Sequence, residues 1–173
     1  MNESTTCFVD ANVLIYAVNP AEPMKMAVAV ELLDRLWRDQ RVRTSVQAVD
    51  EFYSVVTRRL SHAVPKDMAW GKVEEFLRWD PQPVDSTVLM RARSIEQRYR
   101  INWWDCLIVA SASVQGCGLL YTEDLQHGGS YDGVRVANPF ILGVQEEPAV
   151  YHVERVSPHR PRGRPRKQVL IAT

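Results

Sequence analysis

The sequence predicts an α/β protein in which a central, mostly parallel sheet carries helices on both faces. Short apolar segments of three or four residues alternate with longer amphipathic segments along most of the chain. This alternation is typical of strand–helix–strand units, whose helices cover the sheet. Acidic residues also come just after two of the apolar segments, and parallel sheets bind ligands beyond the carboxyl ends of their strands.

Four apolar segments of three or four residues are the predicted strands. They are residues 6–9, 42–44, 119–121 and 134–136. Val84, between a pair of prolines and a predicted helix, is a candidate for one further brief strand. The cluster of Gly128, Gly129, Asp132 and Gly133 predicts a loop before the last strand.

Five helices are predicted between these strands, at residues 22–40, 46–60, 65–79, 86–99 and 103–115. Pro23 fits the first turn of the first helix, and Ser45 is a suitable N-cap for the second. The last helix is apolar nearly all round, which predicts that it is buried. Gly116 follows it and is a typical terminator.

Length and charge divide the chain into a body, residues 1–143, and a tail, residues 144–173. The 173 residues are 46% apolar and 24% charged, which is ordinary for a globular domain. The tail holds six of the 21 basic and three of the 21 acidic residues, so it carries +3 and the body −3. This asymmetry predicts an acidic site on the body and a flexible Pro/Arg-rich tail that seeks polyanions.

The remaining composition points to a cytosolic protein. Three cysteines, with no CxxC pair, are most simply reduced thiols. The first residues lack a basic region, so no secretory signal is expected. No apolar run approaches the roughly 20 residues that cross a bilayer, so no membrane association is expected either.

Four acidic residues stand beside apolar segments: Asp10, Glu51, Asp105 and Asp124. Such positions draw carboxylates toward the interior, where an ionised group needs a cation. If the four converge, Mg²⁺ or Mn²⁺ is the natural partner, because hard cations take oxygen ligands. A metal-bound water would then suit phosphodiester hydrolysis.

Each acid also has a simpler interpretation. Asp10 could cap the turn or helix that follows it, and Asn12 could hold Asp10 in place or be a cap itself. Helical periodicity points Glu51 away from the apolar face, as in a solvated glutamate, unless the opposite face borders the cleft. Asp105 could complete a capping box with Asn102, which is compatible with a metal role.

The turn after the third strand offers a hydroxyl and two acids, Thr122, Glu123 and Asp124. Alternation from the buried strand favours Asp124 as the ligand and turns Glu123 outward. Lone histidines such as His62 and His127 are more often surface or loop residues than catalytic groups.

Taken together, four stretches resemble the PIN-domain ribonucleases, and specifically the VapC-type toxins of bacterial toxin–antitoxin pairs. They are residues 8–17 (FVDANVLIYA), 47–53 (QAVDEFY), 104–112 (WDCLIVASA) and 120–128 (LYTEDLQHG). Residues 136–140 (VANPF) are similar to the closing strand of the family. The resemblance implies a three-layer α/β/α sandwich.

The resemblance also implies the composition of the site and the partners. Asp10, Glu51, Asp105 and Asp124 would be the catalytic acids, supported by Asn12 and Thr122. Asp10, Asp105 and Asp124 would hold Mg²⁺ or Mn²⁺ directly or through water, with Glu51 at the edge. The implied function is a cytoplasmic, metal-dependent endoribonuclease, the toxin of a type II pair, with an RNA substrate, a cognate antitoxin and a homodimeric state.

Two other functions stay open. A PIN-type nuclease could process housekeeping RNA, and a degenerate domain could serve only to carry a nucleic-acid-binding tail. Residues 161–167 (PRGRPRK) resemble an AT-hook, in which arginines enter the narrow minor groove of DNA. The candidate contacts are Arg162, Gly163, Arg164, Arg166 and Lys167. A basic tail could equally attract RNA or an acidic protein without reading sequence.

Overall fold

The computed structural model describes residues 5–141 and shows the predicted α/β fold. Five strands and six helices follow one another along this part of the chain. The strands are β1 (Cys7–Val9), β2 (Val42–Arg43), β3 (Leu119–Tyr121), β4 (Ser130–Tyr131) and β5 (Val134–Ala137). The helices are α1 (Ala11–Tyr16), α2 (Pro23–Arg38), α3 (Val46–Arg59), α4 (Lys66–Leu77), α5 (Ser86–Tyr99) and α6 (Trp103–Val114).

The strands form one sheet in the order β2-β1-β3-β5-β4. Strand β1 is parallel to both β2 and β3, with Phe8 opposite Arg43 on one side and Leu120 on the other. Strand β5 is parallel to β3, whereas β4 is antiparallel to β5 at the edge. The ends of β1 and β3 therefore lie side by side, which brings the residues after them together.

Two apolar cores lie on opposite faces of the sheet, because successive side chains of each strand point to opposite sides. Cys7 and Val9 of β1 pack with apolar side chains of α1 to α4. Phe8, between them, packs on the other face with α5 and α6. The result is the three-layer α/β/α sandwich.

Local sequence signals place the helix ends close to their predicted positions. The Ser45 hydroxyl accepts a hydrogen bond from the Ala48 N–H at 3.2 Å and caps α3. Pro23 occupies the first turn of α2. Gly116 follows α6 with a φ of 68°, a conformation that glycine adopts without strain.

One local prediction is wrong, and two short elements are missed. Val84 is not a strand; the single bridge to the sheet edge in this region joins Ser45 to Gln82 instead. The six-residue helix α1 was not predicted, because it starts one residue after β1 and its apolar run looks like more strand. The predicted loop before β5 contains β4, a two-residue strand that turns back on β5.

All three cysteines are buried free thiols, and burial raises the pKa of each. None of the helices in residues 5–141 combines the length and apolar character needed to cross a bilayer. The tail, with the five candidate nucleic-acid contacts, and the boundary at residue 143 lie outside the described residues, so both stay predictions.

Candidate active site

The ends of β1 and β3 bring Asp10, Thr122 and Asp124 into one cleft. Asp10 directly follows β1, and its backbone N–H donates to the Tyr121 carbonyl on β3 at 3.1 Å. Thr122 directly follows β3, and its backbone N–H donates to the Ala137 carbonyl on β5 at 3.2 Å. The sheet register therefore fixes the backbone on which these side chains stand.

A hydrogen-bond network holds the Asp10 carboxylate. Its Oδ1 accepts from the Ala11 N–H at 2.7 Å, and its Oδ2 accepts from the Thr122 hydroxyl at 2.8 Å. Asn12 Nδ2 donates to Thr122 Oγ1 at 2.9 Å and to Asp124 Oδ2 at 3.0 Å, and lies 3.4 Å from Asp10 Oδ2. Asp10 thus caps α1 and belongs to the cleft at once, and Asn12 bridges the two strand ends.

Helix α3 supplies the next wall of the cleft. Its apolar face, with Val49 and Phe52, packs in the core, so Glu51 points away from it as periodicity predicts. That opposite face borders the cleft, where Glu51 lies with Gln47 and Asp50. The condition under which Glu51 could take part in the site is therefore met.

Helix α6 supplies the facing wall. Asn102 caps it, accepting from the Trp104 N–H at 2.8 Å. Asp105 is half-buried in the first turn, and its carboxylate lines the cleft. The buried part of α6 begins one residue later, at Cys106, so Asp105 sits where the helix leaves the core.

The four predicted acids thus line a single cavity of about 390 Å³. Asp10 is 7% exposed, whereas Glu51 and Asp124 are exposed and Asp105 is intermediate. None of the side chains that line the cavity is basic. The lining residues are Asp10, Ala11, Gln47, Asp50, Glu51, Trp104, Asp105, Ile108 and Asp124. The cleft is therefore strongly acidic.

Burial and the neighbouring negative charges both raise the pKa of carboxyl groups in the cleft. Burial raises the pKa of Asp10 from 3.8 to about 7, with smaller contributions from the charges of Asp124 and Glu51. Burial also raises the pKa of Glu51 and of Asp105, and in both cases the Asp124 charge adds to it. Each ionised carboxylate makes the next harder to ionise, and a bound cation would relieve this repulsion.

The donor set fits Mg²⁺ or Mn²⁺, because it consists of oxygen atoms only. Asn12 Oδ1 is a further buried oxygen, with no hydrogen-bond partner among residues 5–141. Within the same range, no three His, Cys, Asp or Glu side chains stand close enough to hold one ion. The arrangement therefore suits an ion that keeps much of its water, as Mg²⁺ does.

Glu123 lies outside the cleft, as alternation predicts, but its carboxylate binds protein groups instead of pointing into solvent. It accepts from Lys25 Nζ at 2.6 Å and from the Tyr16 hydroxyl at 2.7 Å. Lys25 also donates to the Tyr16 hydroxyl at 2.9 Å and lies over the rings of Tyr16 and Phe140. These contacts anchor the turn that carries Asp124.

Sequence reasoning did not assign Lys25, Gln47, Asp50 or Trp104, all of which contribute to the cleft or its support. Gln47 precedes Asp50 by three residues and Glu51 by four on α3, spacings that could have indicated a shared face. Lys25 carried no such signal, because its partner is distant in the chain. His127 is structural: its Nδ1 accepts from the Asn138 N–H at 3.0 Å.

Comparison with protein families matches the PIN domain over residues 7–127 of this chain. The matched range contains all four acids, Asn12 and Thr122. Comparison with curated proteins found no match.

Two solved structures are similar to this chain. FitAcB from Neisseria gonorrhoeae has 22% sequence identity and a TM-score of 0.60, over 79% of this chain and 100% of that one. Mycobacterium tuberculosis VapC20, a sarcin-ricin loop cleaving toxin, has 20% identity and a TM-score of 0.53, over 69% of this chain and 90% of that one. Similarity at these identities shows a shared fold.

Proposed function

The chain belongs to the PIN domain family, and on this premise we propose that it is a metal-dependent endoribonuclease. The observation that carries the proposal is the single acidic cleft. Carboxylates from four separate parts of the chain line it, and no basic side chain does. A fold that gathers like charges without neutralising them is poised to bind a cation.

In the proposed reaction, Asp10, Asp105 and Asp124 would hold Mg²⁺ or Mn²⁺, directly or through water, with Glu51 at the edge of the site. When bound, the ion would lower the pKa of a water and offset charge on the phosphate. Thr122 orients Asp10 through its hydroxyl, and Asn12 joins Thr122 to Asp124. The protein thereby fixes its oxygen donors before substrate arrives.

We further propose that the protein is a VapC-type toxin of a type II toxin–antitoxin pair. The supporting observations are the PIN domain and the fold shared with VapC20, a toxin that cleaves the sarcin-ricin loop. A cognate antitoxin, a homodimeric state and a cytoplasmic location belong to this proposal. A PIN-type nuclease that processes housekeeping RNA is the alternative, and a neighbouring reading frame for a small antitoxin would decide for the toxin.

Incubation of the purified protein with total RNA tests the enzymatic part of the proposal. Mg²⁺ should support cleavage and a chelator should stop it. Asp10→Asn should reduce cleavage by at least about 100-fold, because loss of even an outer-shell partner of a metal ligand costs about 10- to 100-fold. Mapping the new ends identifies the substrate. Cleavage that persists in chelator, or that Asp10→Asn retains in full, would contradict the mechanism.

A further inference from the structure

Trp104 stands at the acidic cleft with its ring exposed. It follows the N-cap of α6 by two residues and lines the same cavity as the four acids. Its exposed fraction is 64%. Its neighbour Trp103, in contrast, is partly buried and packs against the core beneath α6.

The other exposed tryptophans have ring partners, and Trp104 has none among residues 5–141. The ring centroid of Trp37 lies 6.2 Å from that of Trp79. That of Trp70 lies 5.6 Å from Tyr53, and Trp70 Nε1 donates to Glu74 at 3.1 Å. Trp104 is thus an aromatic surface that the fold leaves open at the site of the proposed chemistry.

The surroundings of Trp104 extend this surface. Ile108 lies one helical turn further along α6 and lines the same cavity. It is 4% exposed, so it gives the cavity a small apolar surface beside Asp105. Gln47 lies on the α3 side of the cavity, and its buried Oε1 has no hydrogen-bond partner among the described residues. A ligand that engaged this amide oxygen would break no existing hydrogen bond.

From these features we infer that Trp104, Ile108 and Gln47 form a subsite for an unpaired nucleobase next to the phosphate that is cut. The inference rests on the proposed nuclease function. An exposed indole stacks on the face of any base, while a neighbouring amide can hydrogen-bond to a base edge. The substrate class is therefore single-stranded RNA, or a loop, because a base inside a helix cannot present its face.

The nucleobase is a better occupant than a protein side chain because of its connection to phosphate. Under the proposed function, the phosphate that is cut would lie at the carboxylates of this cavity, and every nucleotide carries its base beside its phosphate. The stacking face and the carboxylates share one cavity of about 390 Å³. One nucleotide can therefore stack its base on Trp104 and place its phosphate at the carboxylates.

Binding with Ca²⁺ in place of Mg²⁺ tests the subsite separately from catalysis. Ca²⁺ also binds carboxylates, and so offsets their repulsion of the phosphates, but it lacks the strict octahedral geometry of Mg²⁺. Gel analysis of the same samples checks that the probe stays intact. The probes are a fluorescein-labelled oligouridylate and an oligomer of the same length whose units are abasic, which keeps the phosphates and removes the bases. Trp104→Ala should weaken oligouridylate binding by about 5- to 150-fold, and Trp104→Phe by much less. Binding of the abasic chain should be the same in wild type and Trp104→Ala.

Trp70→Ala is the matched control, because it removes an exposed indole that is packed against Tyr53 and does not line the cavity. It should leave oligouridylate affinity within about twofold of wild type. The urea-unfolding midpoint of Trp104→Ala should match that of wild type, as expected for a surface side chain. Stacking should also quench the tryptophan fluorescence of wild type more than that of Trp104→Phe.

The outcomes separate the subsite from the function it rests on. Mg²⁺-dependent cleavage by wild type, together with unchanged oligouridylate affinity in Trp104→Ala, would overturn the subsite and keep the nuclease. Equal losses on oligouridylate and abasic chain would also overturn it, since the ring would not then contact a base. Absence of cleavage under all metal conditions would overturn the nuclease itself.

Discussion

Asp10 should destabilise the metal-free protein at neutral pH, and Asp10→Asn should remove this effect. Burial raises the pKa of Asp10 from 3.8 to about 7. Between these values the folded protein keeps a proton that the unfolded chain loses, so its stability falls as pH rises from about 4 to about 7. About 3 pH units at about 1.36 kcal/mol each gives a loss of about 4 kcal/mol, complete above pH 7.

The amide substitution has a smaller cost that opposes this gain. Asn at position 10 can still accept from the Ala11 N–H through Oδ1. Its amide nitrogen, however, would face the Thr122 hydroxyl, which donates to Asp10 Oδ2 at 2.8 Å. Loss of that hydrogen bond costs about 1 kcal/mol. We therefore expect Asp10→Asn to be about 1 kcal/mol less stable than wild type at pH 4 and about 3 kcal/mol more stable at pH 8.

Urea unfolding followed by tryptophan fluorescence, at pH 4 to 8 in chelator, measures this difference. Asp67→Asn is the control for removing one carboxylate, because Asp67 is exposed in the first turn of α4 and does not line the cleft. Its effect should stay within about 0.5 kcal/mol. A difference between Asp10→Asn and wild type that is constant with pH would refute the argument, as would lower stability of the variant at pH 8.

Three further predictions concern the metal, the support of the site and the tail. Mg²⁺ at about 100 times its dissociation constant should stabilise wild type by about 2.7 kcal/mol in thermal melts, and Asp10→Asn by much less. Lys25→Met should destabilise the protein by about 1 to 2 kcal/mol, because it leaves the half-buried Glu123 without its ion pair. Removal of residues 158–173 should flatten the salt dependence of single-stranded RNA binding, whose slope is roughly −3 to −4 if five tail charges contact phosphates, and should spare metal-dependent cleavage.

Each of these predictions has its own control or contradicting result. Equal Mg²⁺ stabilisation of both proteins would place the ion elsewhere. Lys72→Met is matched to Lys25→Met: the ion pair between Lys72 and Glu75 is exposed, and its loss should cost less than about 0.5 kcal/mol. Similar losses of stability in the two lysine variants would mean that Lys25 does not anchor the turn that carries Asp124. An unchanged salt slope after deletion would mean that the tail does not bind RNA.

The order of helices and strands could be predicted because each long element carries its own periodic signal. Helix α5 was predicted with its observed bounds, Ser86–Tyr99, since its apolar residues recur along one face. Helix α1 gave no such signal, because six residues are fewer than two full turns. Strand β4 is shorter still, and its pairing depends on β5.

Assignment of the acids to roles shows the limit of the sequence more clearly. Periodicity was right that Glu51 turns away from the core, but it could not tell that the opposite face of α3 borders a cleft. Alternation favoured Asp124 over Glu123, and Asp124 does line the cleft. The interaction of Glu123 with Lys25 and Tyr16 could not be predicted, because it joins residues 98 and 107 positions apart.

Within residues 5–141, the sequence by itself determined the five long helices and four of the five strands, the apolar faces of the helices, and that acidic residues follow β1 and β3. Only the tertiary structure decided that the four acids share one cavity, that Asp10 is withdrawn from water and that the ring of Trp104 is left open beside it. The physical reason is that periodicity records which face of an element is buried. Burial, electrostatic repulsion and ring contacts are sums over neighbours that come from other parts of the chain.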